Sequence, residues 1–162
     1  MIRILQKFVK TDASGTTLLI RIMVGAIFFS EGLQKFIFPA ARGAGRFAGI
    51  GFPAPEAFAN FVGAFEVLGG LLILVGLLTR AGALFTFVII SVAITVTKIP
   101  IGLGHSFGPF ILRQMSHYGF WSMAHEMRTD FAMWLGSLFL MIRGGGKWSL
   151  DATLFSKKSA HR

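Results

Sequence analysis

Residues 56–78 read EAFANFVGAFEVLGGLLILVGLL, and this stretch decides the fold class. A helix that crosses the hydrocarbon core of a bilayer needs about 20 mostly apolar residues. The stretch meets that length, and its only side chains with ionisable or amide groups are Glu56, Asn60 and Glu66. We therefore expect a transmembrane helix over residues 56–78.

Working outward from this stretch, we predict three further spans, at about 17–38, 83–98 and 120–142. Pro39 ends the first of these, because proline lacks the backbone donor that a helix interior needs. The proline- and glycine-rich residues 39–55 are predicted to be a loop. Lys98 and Pro100 are expected to close the third predicted helix.

The last predicted span begins among charged residues. Its uncharged run, 131–142, is too short to cross a bilayer alone, so the helix must begin near Phe120. The preceding segment is rich in glycine and aromatic residues, which gather at the membrane boundary. The predicted fold is a single all-α membrane domain. It is a polytopic four-helix bundle with a long aromatic-rich loop between helices 3 and 4 and polar tails at 1–16 and 143–162.

Composition excludes several classes of function. Of the 162 residues, 54% are hydrophobic and 14% are charged, whereas ordinary soluble domains have roughly a quarter charged residues. Four spans leave no room for a soluble catalytic domain. The chain has no cysteine, so it supplies no thiolate nucleophile and no thiolate ligand for zinc or an iron–sulfur cluster. Redox chemistry therefore needs a cofactor, a substrate or a partner.

The formal net charge is +9, and the basic residues lie mostly in tails and loops beside apolar runs. Such residues orient a membrane protein and contact anionic lipid, so we expect a bilayer and no nucleic acid as the partner. With four spans, one side holds Arg3, Lys7, Lys10, Arg80, Arg143, Lys147, Lys157, Lys158 and Arg162, and the other holds Lys35, Arg42, Arg46, Lys98, Arg113 and Arg128. The side that holds both termini has more lysine and arginine residues than the other side, and cytoplasmic segments are enriched in these residues. We therefore predict cytoplasmic termini, with Arg21 and Arg80 toward the cytoplasm.

Ionisable residues inside the spans carry the functional signal, since each costs about 2.5–3.5 kcal/mol at mid-membrane. The helical step of 100° places acids and small residues on one face of three helices. These faces are Gly25, Glu31, Gly32 and Lys35 on the first helix, Asn60, Gly63, Glu66 and Gly70 on the second, and Glu126, Asp130 and Ser137 on the fourth. Small residues permit close helix approach, and polar residues bond across it.

The depths of these residues predict one charged cluster in the outer half of the bundle. Its members are Glu31, Lys35, Glu66, His125, Glu126 and Asp130. They are candidates for ligand binding or a proton relay, or they are ion pairs that only fix helix register. Glu66 is the main candidate because its helix has no basic residue, so we expect it to pair with Lys35 or to carry a shifted pKa.

No catalytic residue is assigned, and no metal site is expected. His105, His117 and His125 lie in or beside a single loop, whereas haem ligation within a bundle uses histidines on facing helices. These histidines are interpreted as polar residues at the membrane interface.

Four segments together resemble the DoxX family of small bacterial membrane proteins. They are RIMVGAIFFSEGLQKF from Arg21, GFPAP from Gly51, FEVLGGLLILVGLLTR from Phe65 and GGKWSLD from Gly145. The resemblance implies a four-helix bundle in the bacterial inner membrane. The family is named from a subunit associated with a terminal quinol oxidase and thiosulfate:quinone oxidoreductase in an archaeon, and other members are linked to redox or oxidative-stress systems.

The leading hypothesis is a DoxX-like inner-membrane protein that is accessory to a quinone-linked redox process, with quinone contact near Glu31, Lys35 and Glu66. As an enzyme it would be an oxidoreductase subunit that needs a redox partner protein. One alternative is a small proton-coupled transporter or permease-like protein that uses Glu66 and Asp130. The other alternative is a membrane scaffold or assembly factor, and a homo-oligomer is compatible with all three.

Overall fold

The computed structural model describes residues 11–155. The predicted basic residues of 1–10 and 156–162 lie outside this range. Within the described range the chain is helical and forms no strand, apart from an isolated bridge between Phe107 and Phe110. The all-α membrane class predicted from the sequence is confirmed.

The helices are α1 (Thr17–Ile37), α2 (Ala44–Ile50), α3 (Pro55–Val75), α4 (Thr79–Ala93), a π-helical turn (Ile94–Lys98), α5 (Ile99–Leu103), α6 (Phe120–Arg143) and α7 (Leu150–Phe155). In the described part of the chain, three helical stretches are long and apolar enough to cross a membrane: α1, α3 and the continuous run Thr79–Leu103. Helix α6 has 24 residues, but Glu126, Arg128 and Asp130 lie in its first half. Its crossing, and with it the count of four spans, stays a prediction.

Helices α1 and α3 are antiparallel and share the most extensive interface of the molecule. Paired glycines bring their backbones together. A Cβ atom on Gly32 would lie 2.8 Å from the carbonyl oxygen of Gly63, and one on Gly70 would lie 2.8 Å from that of Gly25. Only glycine permits this approach, which is the small-residue packing typical of membrane helices.

Helix α4 packs against α3 on one side and against α6 on the other. A buried hydrogen bond of 2.9 Å joins the hydroxyls of Thr86 and Ser137, and the indole of Trp134 donates to the Ser91 hydroxyl at 3.0 Å. Such bonds satisfy polar groups that have no water available in an apolar interior. The shared core consists of Val24, Phe28, Ile73, Ala83, Ile90, Met133 and Leu140.

The prediction that the third helix ends at Lys98 and Pro100 was wrong. The helix begins at Thr79 rather than at Ala83 and continues through the π-helical turn into α5, which ends at Leu103. Pro100 lies in the first turn of α5, directly after the π-helical turn, and the first turn is the part of a helix where proline is best tolerated.

Two segments predicted to be irregular or polar are structured. The predicted loop 39–55 contains helix α2. The described part of the predicted polar tail, residues 143–155, folds back into the protein, where Ser149 and Asp151 are buried. Between α5 and α6 the chain is irregular, as expected, and exposes aromatic residues such as Phe107 and Tyr118.

Candidate functional site

A cavity of about 500 Å³ opens between the long helices, at the end of the bundle away from the described ends of the chain. Helices α1, α2, α3, α4 and α6 and the π-helical turn all contribute to its wall. Its charged lining residues are Glu31, Lys35, Arg42, Arg46, Glu66, Lys98, Glu126 and Asp130. The rest of the lining is mainly apolar, so the cavity is amphipathic and within the size range of small-molecule sites.

The ion pair between Lys35 and Glu66 joins α1 to α3 in the cavity wall. The Lys35 Nζ lies 2.5 Å from Glu66 Oε2, and the two side chains are only 11% and 8% exposed. The Lys35 ammonium also donates to the backbone carbonyl of Glu31 at 3.4 Å. The two helices lie close enough for this pair because Gly32 and Gly63 meet one turn away. One of the two alternatives predicted for Glu66, pairing with Lys35, is therefore observed.

A second ion pair joins the π-helical turn to α6. Lys98 Nζ lies 3.1 Å from Asp130 Oδ2, with side-chain exposures of 14% and 23%. A π-helical turn makes i→i+5 bonds and so accommodates one extra residue, which rotates the following side chains relative to an α-helix. Lys98 is the last residue of this turn, and it lies in the cavity wall next to α6.

A third pair connects the loop before α6 to the cavity rim. The guanidinium of Arg113 donates to Glu126 Oε2 at 3.0 Å, with Arg113 70% exposed. Because exposed pairs contribute only about 0–1 kcal/mol, this contact orients Glu126 more than it stabilises the fold. Among the described residues, Glu31, Arg42 and Arg46 form no ion pair within 4 Å.

Phenylalanine rings contribute to the apolar part of the cavity, together with aliphatic side chains of α4. The Phe52 ring lies at the centre of a cluster, with ring centroids 5.0 Å from Phe47, 5.3 Å from Phe58 and 5.0 Å from Phe110. These separations are typical of favourable aromatic pairs. The cavity therefore combines the flat faces of aromatic rings with charged side chains that can donate and accept hydrogen bonds.

The structure brings together all of the predicted cluster residues except His125. Glu31, Lys35, Glu66, Glu126 and Asp130 line the cavity, although their role in binding or proton transfer stays a prediction. His125 is exposed and does not line it. Within the described residues, no group of three or more His, Asp or Glu side chains is arranged to hold a metal ion.

Sequence reasoning missed two lining residues that lie on unpredicted elements. Arg46 belongs to α2, which was predicted to be part of a loop, and Lys98 belongs to the π-helical turn, which was predicted to be a helix end. An available signal was the order Arg46, Phe47, Ile50, since residues three and four apart share a helix face.

A separate polar centre occupies the opposite end of the bundle around Arg21. This side chain is only 2% exposed and lies about 21 Å from Lys35 along α1, at 1.5 Å per residue. Its guanidinium donates to the carbonyls of Ile73 at 2.8 Å and Leu74 at 2.5 Å, and also to those of Gly145 and Trp148. Arg21 thereby satisfies the end of α3 and anchors the chain after α6 to it.

Asp151 completes this centre by capping α4. Its carboxylate accepts from the backbone N–H of Leu78 at 2.8 Å and from the N–H and hydroxyl of Thr79 at 2.9 and 2.8 Å. Leu78 has a positive φ of 47°, an uncommon conformation for a non-glycine residue. The carboxylate stabilises this turn, so we assign Arg21 and Asp151 to fold stability rather than to the cavity.

Helices α1, α3 and α4, the glycine-paired α1–α3 interface and the Lys35–Glu66 ion pair lie within the part of the chain that a known family model covers. The DoxX family model matches residues 16–99. The chain belongs to the DoxX family. Relatives of this DoxX protein extend the match over nearly its whole length.

Two bacterial relatives are similar to this DoxX protein. An uncharacterized membrane protein of Mycobacterium tuberculosis (strain ATCC 25618 / H37Rv), Rv3486, is 39% identical over 95% of this chain and 90% of its own. A protein of Bacillus subtilis (strain 168) named "Putative oxidoreductase CatD" is 43% identical over 88% of this chain and 89% of its own. No solved structure matches the chain.

Proposed function

We propose that this DoxX protein serves a membrane-bound redox process by holding a quinone head group in the cavity beside Lys35 and Glu66. The observation that carries the proposal is a buried ion pair in the wall of an aromatic-lined cavity of about 500 Å³. The name of the Bacillus relative supports the redox class. A lipid-soluble ligand reaches such a cavity through the bilayer itself.

The chemistry of a quinone head group fits the groups that line the cavity. Its ring is flat and apolar, so it packs against phenylalanine faces such as Phe52. Its carbonyl oxygens accept hydrogen bonds, for which the Lys35 ammonium is the buried donor. Reduction of a quinone to a quinol takes up two electrons and two protons, and Glu66 and Asp130 are the nearby carboxyl groups that would donate these protons in their protonated form and be reprotonated from water. Electrons come from a partner enzyme, so the chain acts as an accessory subunit.

To test the proposal, the protein is purified in mild detergent and the lipid-soluble molecules that copurify with it are measured by mass spectrometry. We expect quinone with the wild type and much less with Glu66→Gln. The matched control is Glu56→Gln, which removes the same charge from an exposed site on the same helix outside the cavity. Quinone retained equally by both variants, or absent from all samples although the protein is folded, would contradict the proposal.

A proton-coupled transporter is the second candidate, and the Lys98–Asp130 pair favours it. This pair places a second carboxylate, on α6, in the lining of the cavity that also contains Glu66 of α3. Paired ionisable groups of this kind mark proton relays in membrane proteins. Proton-coupled flux into vesicles that Glu66→Gln and Asp130→Asn both abolish would support transport. A stable protein without quinone or flux would instead support the scaffold hypothesis.

We also propose that the protein lies in the bacterial inner membrane with four spans and both termini cytoplasmic. The distribution of lysine and arginine supports this orientation. Because the chain has no cysteine, single cysteines at exposed positions report sidedness without background. A cysteine replacing Lys147 should react with a membrane-impermeant maleimide only from the cytoplasm, and one replacing His105 only from outside. Labelling of both from the same side would contradict four spans.

A further inference from the structure

A smaller cavity of about 370 Å³ adjoins the larger one at the same end of the bundle. Its lining combines residues of α2, the π-helical turn, α5 and the loop before α6. They are Arg46, Gly49, Ile50, Thr97, Lys98, Ile101, Ile111 and Arg113. Every ionisable residue in this list is basic, whereas the larger cavity is lined by both signs of charge.

The wall of the smaller cavity is held in place by backbone contacts. The N–H of Ile111 donates to the carbonyl of Ile50 at 2.8 Å, which fixes the loop to α2. Gly51 has a φ of 92°, and a Cβ atom there would lie 2.8 Å from the Pro109 carbonyl. The loop therefore packs directly on the chain that follows α2. The cavity is thus bounded by ordered backbone on its loop side.

The charges around this cavity are only partly balanced. Lys98 and Arg113 each contact one carboxylate, Asp130 and Glu126 respectively, and neither carboxylate lines the smaller cavity. Arg46 has no ion-pair partner within 4 Å among the described residues. The cavity therefore presents an excess of positive charge to any occupant. Arginine forks and a lysine ammonium are the groups that proteins use to bind phosphate oxygens.

We propose that the smaller cavity binds the phosphate group of a phosphate ester, with Arg46, Lys98 and Arg113 as its ligands. The volume exceeds that of a phosphate ion alone. The isoleucines Ile50, Ile101 and Ile111 offer an apolar surface to the organic substituent. This ligand class includes the head group of an anionic phospholipid and soluble phosphate esters. Arg46, Ile50, Thr97 and Lys98 also line the larger cavity, but the proposal rests on the basic lining of the smaller cavity and does not depend on quinone binding.

The experiment is native mass spectrometry of the full-length protein in mild detergent, titrated separately with three probes. Phosphatidylglycerol carries the lipid phosphate with net negative charge, phosphatidylcholine carries the phosphate with net zero charge, and glycerol 3-phosphate is the soluble ester. Tighter binding of phosphatidylglycerol than of phosphatidylcholine, by at least about tenfold, supports the lipid source. Saturable binding of glycerol 3-phosphate supports the soluble source.

Matched variants distinguish binding in the smaller cavity from a general attraction of anions to a positively charged protein. The double variant Arg46→Gln/Arg113→Gln removes two lining charges. The control Arg42→Gln/Arg128→Gln removes two exposed charges at the same end, neither of which lines the smaller cavity. We expect the first to weaken phosphate-ester binding at least about tenfold and the second to leave it nearly unchanged. Equal losses in both, or no anion preference in the wild type, would overturn the proposal.

The single variant Arg113→Gln shows whether a loss of phosphate-ester binding comes from the smaller cavity itself or from misfolding. Arg113 is 70% exposed and does not line the larger cavity, so its replacement should leave the fold intact. Phosphate-ester binding should still fall in this variant. Unchanged binding in both Arg113→Gln and the double variant would refute the site, whatever the quinone content shows.

Discussion

Neutralising Lys35 and Glu66 one at a time should destabilise this protein more than neutralising both. At a separation of 2.5 Å and an effective dielectric constant of about 20, the attraction is about 7 kcal/mol. Desolvation of the two ions costs several kcal/mol each, so the intact pair contributes roughly nothing to net stability. Removing one partner leaves a buried charge uncompensated and costs about 3–5 kcal/mol.

The assay is a double-mutant cycle of Lys35→Met, Glu66→Gln and the combined variant. The free energy of unfolding is measured in mixed micelles by titration with a denaturing detergent, followed by helical circular dichroism. We expect each single variant to lose about 3–5 kcal/mol and the double variant to lose no more than about 2 kcal/mol. The matched control is the pair Asp12–Arg143, whose arginine is 54% exposed. Its coupling should be at most about 1 kcal/mol.

Additive losses in the Lys35–Glu66 cycle, with a double variant as unstable as the sum of the singles, would refute this reasoning. Such a result would mean that the two groups are stabilised separately by water or by other partners. A coupling as small as that of the control pair would carry the same conclusion. Either outcome would also remove the physical basis for a buried donor in the cavity wall.

Three other perturbations test the packing, the second polar centre and the aromatic wall. Gly70→Ala places a Cβ atom 2.5 Å from the Phe29 backbone nitrogen and should lower the unfolding free energy by about 1–3 kcal/mol. In the control Gly49→Ala, the added Cβ atom has no neighbour within 4 Å, so this variant should be as stable as the wild type or more stable. Arg21→Met should lower the unfolding free energy by at least about 3 kcal/mol, because buried carbonyls lose their donor; a smaller loss would show that water replaces it. Phe52→Ala should weaken quinone binding about tenfold through lost ring contacts without changing helical content, and unchanged affinity would exclude this ring from the site.

The helical period was sufficient to predict the α1–α3 interface. Gly25 and Gly32 were assigned to one face of their helix, and Gly63 and Gly70 to one face of theirs, from the 100° step alone; the structure brings these two faces into backbone contact. The same step placed Glu66 on the glycine stripe of its helix, which faces α1 and Lys35. These features are predictable because they depend on local periodicity and on the high cost of an unpaired charge in an apolar medium.

The features that the sequence did not predict depend on contacts between distant segments. Asp151 was assigned to a polar tail, yet it caps α4 more than seventy residues earlier in the chain. The π-helical turn has no composition signal, and Pro100 is normally a reason to end a helix. Lys98 was therefore placed at a helix end, and its contact with Asp130 was missed.

The most direct test of the quinone proposal is a titration of quinone into quinone-depleted wild-type protein, with Glu66→Gln and Glu56→Gln measured in parallel. We expect saturable binding to the wild type and to Glu56→Gln, with affinity reduced at least about tenfold in Glu66→Gln. Saturable binding of equal affinity to all three proteins, or no saturable binding to the folded wild type, would contradict it.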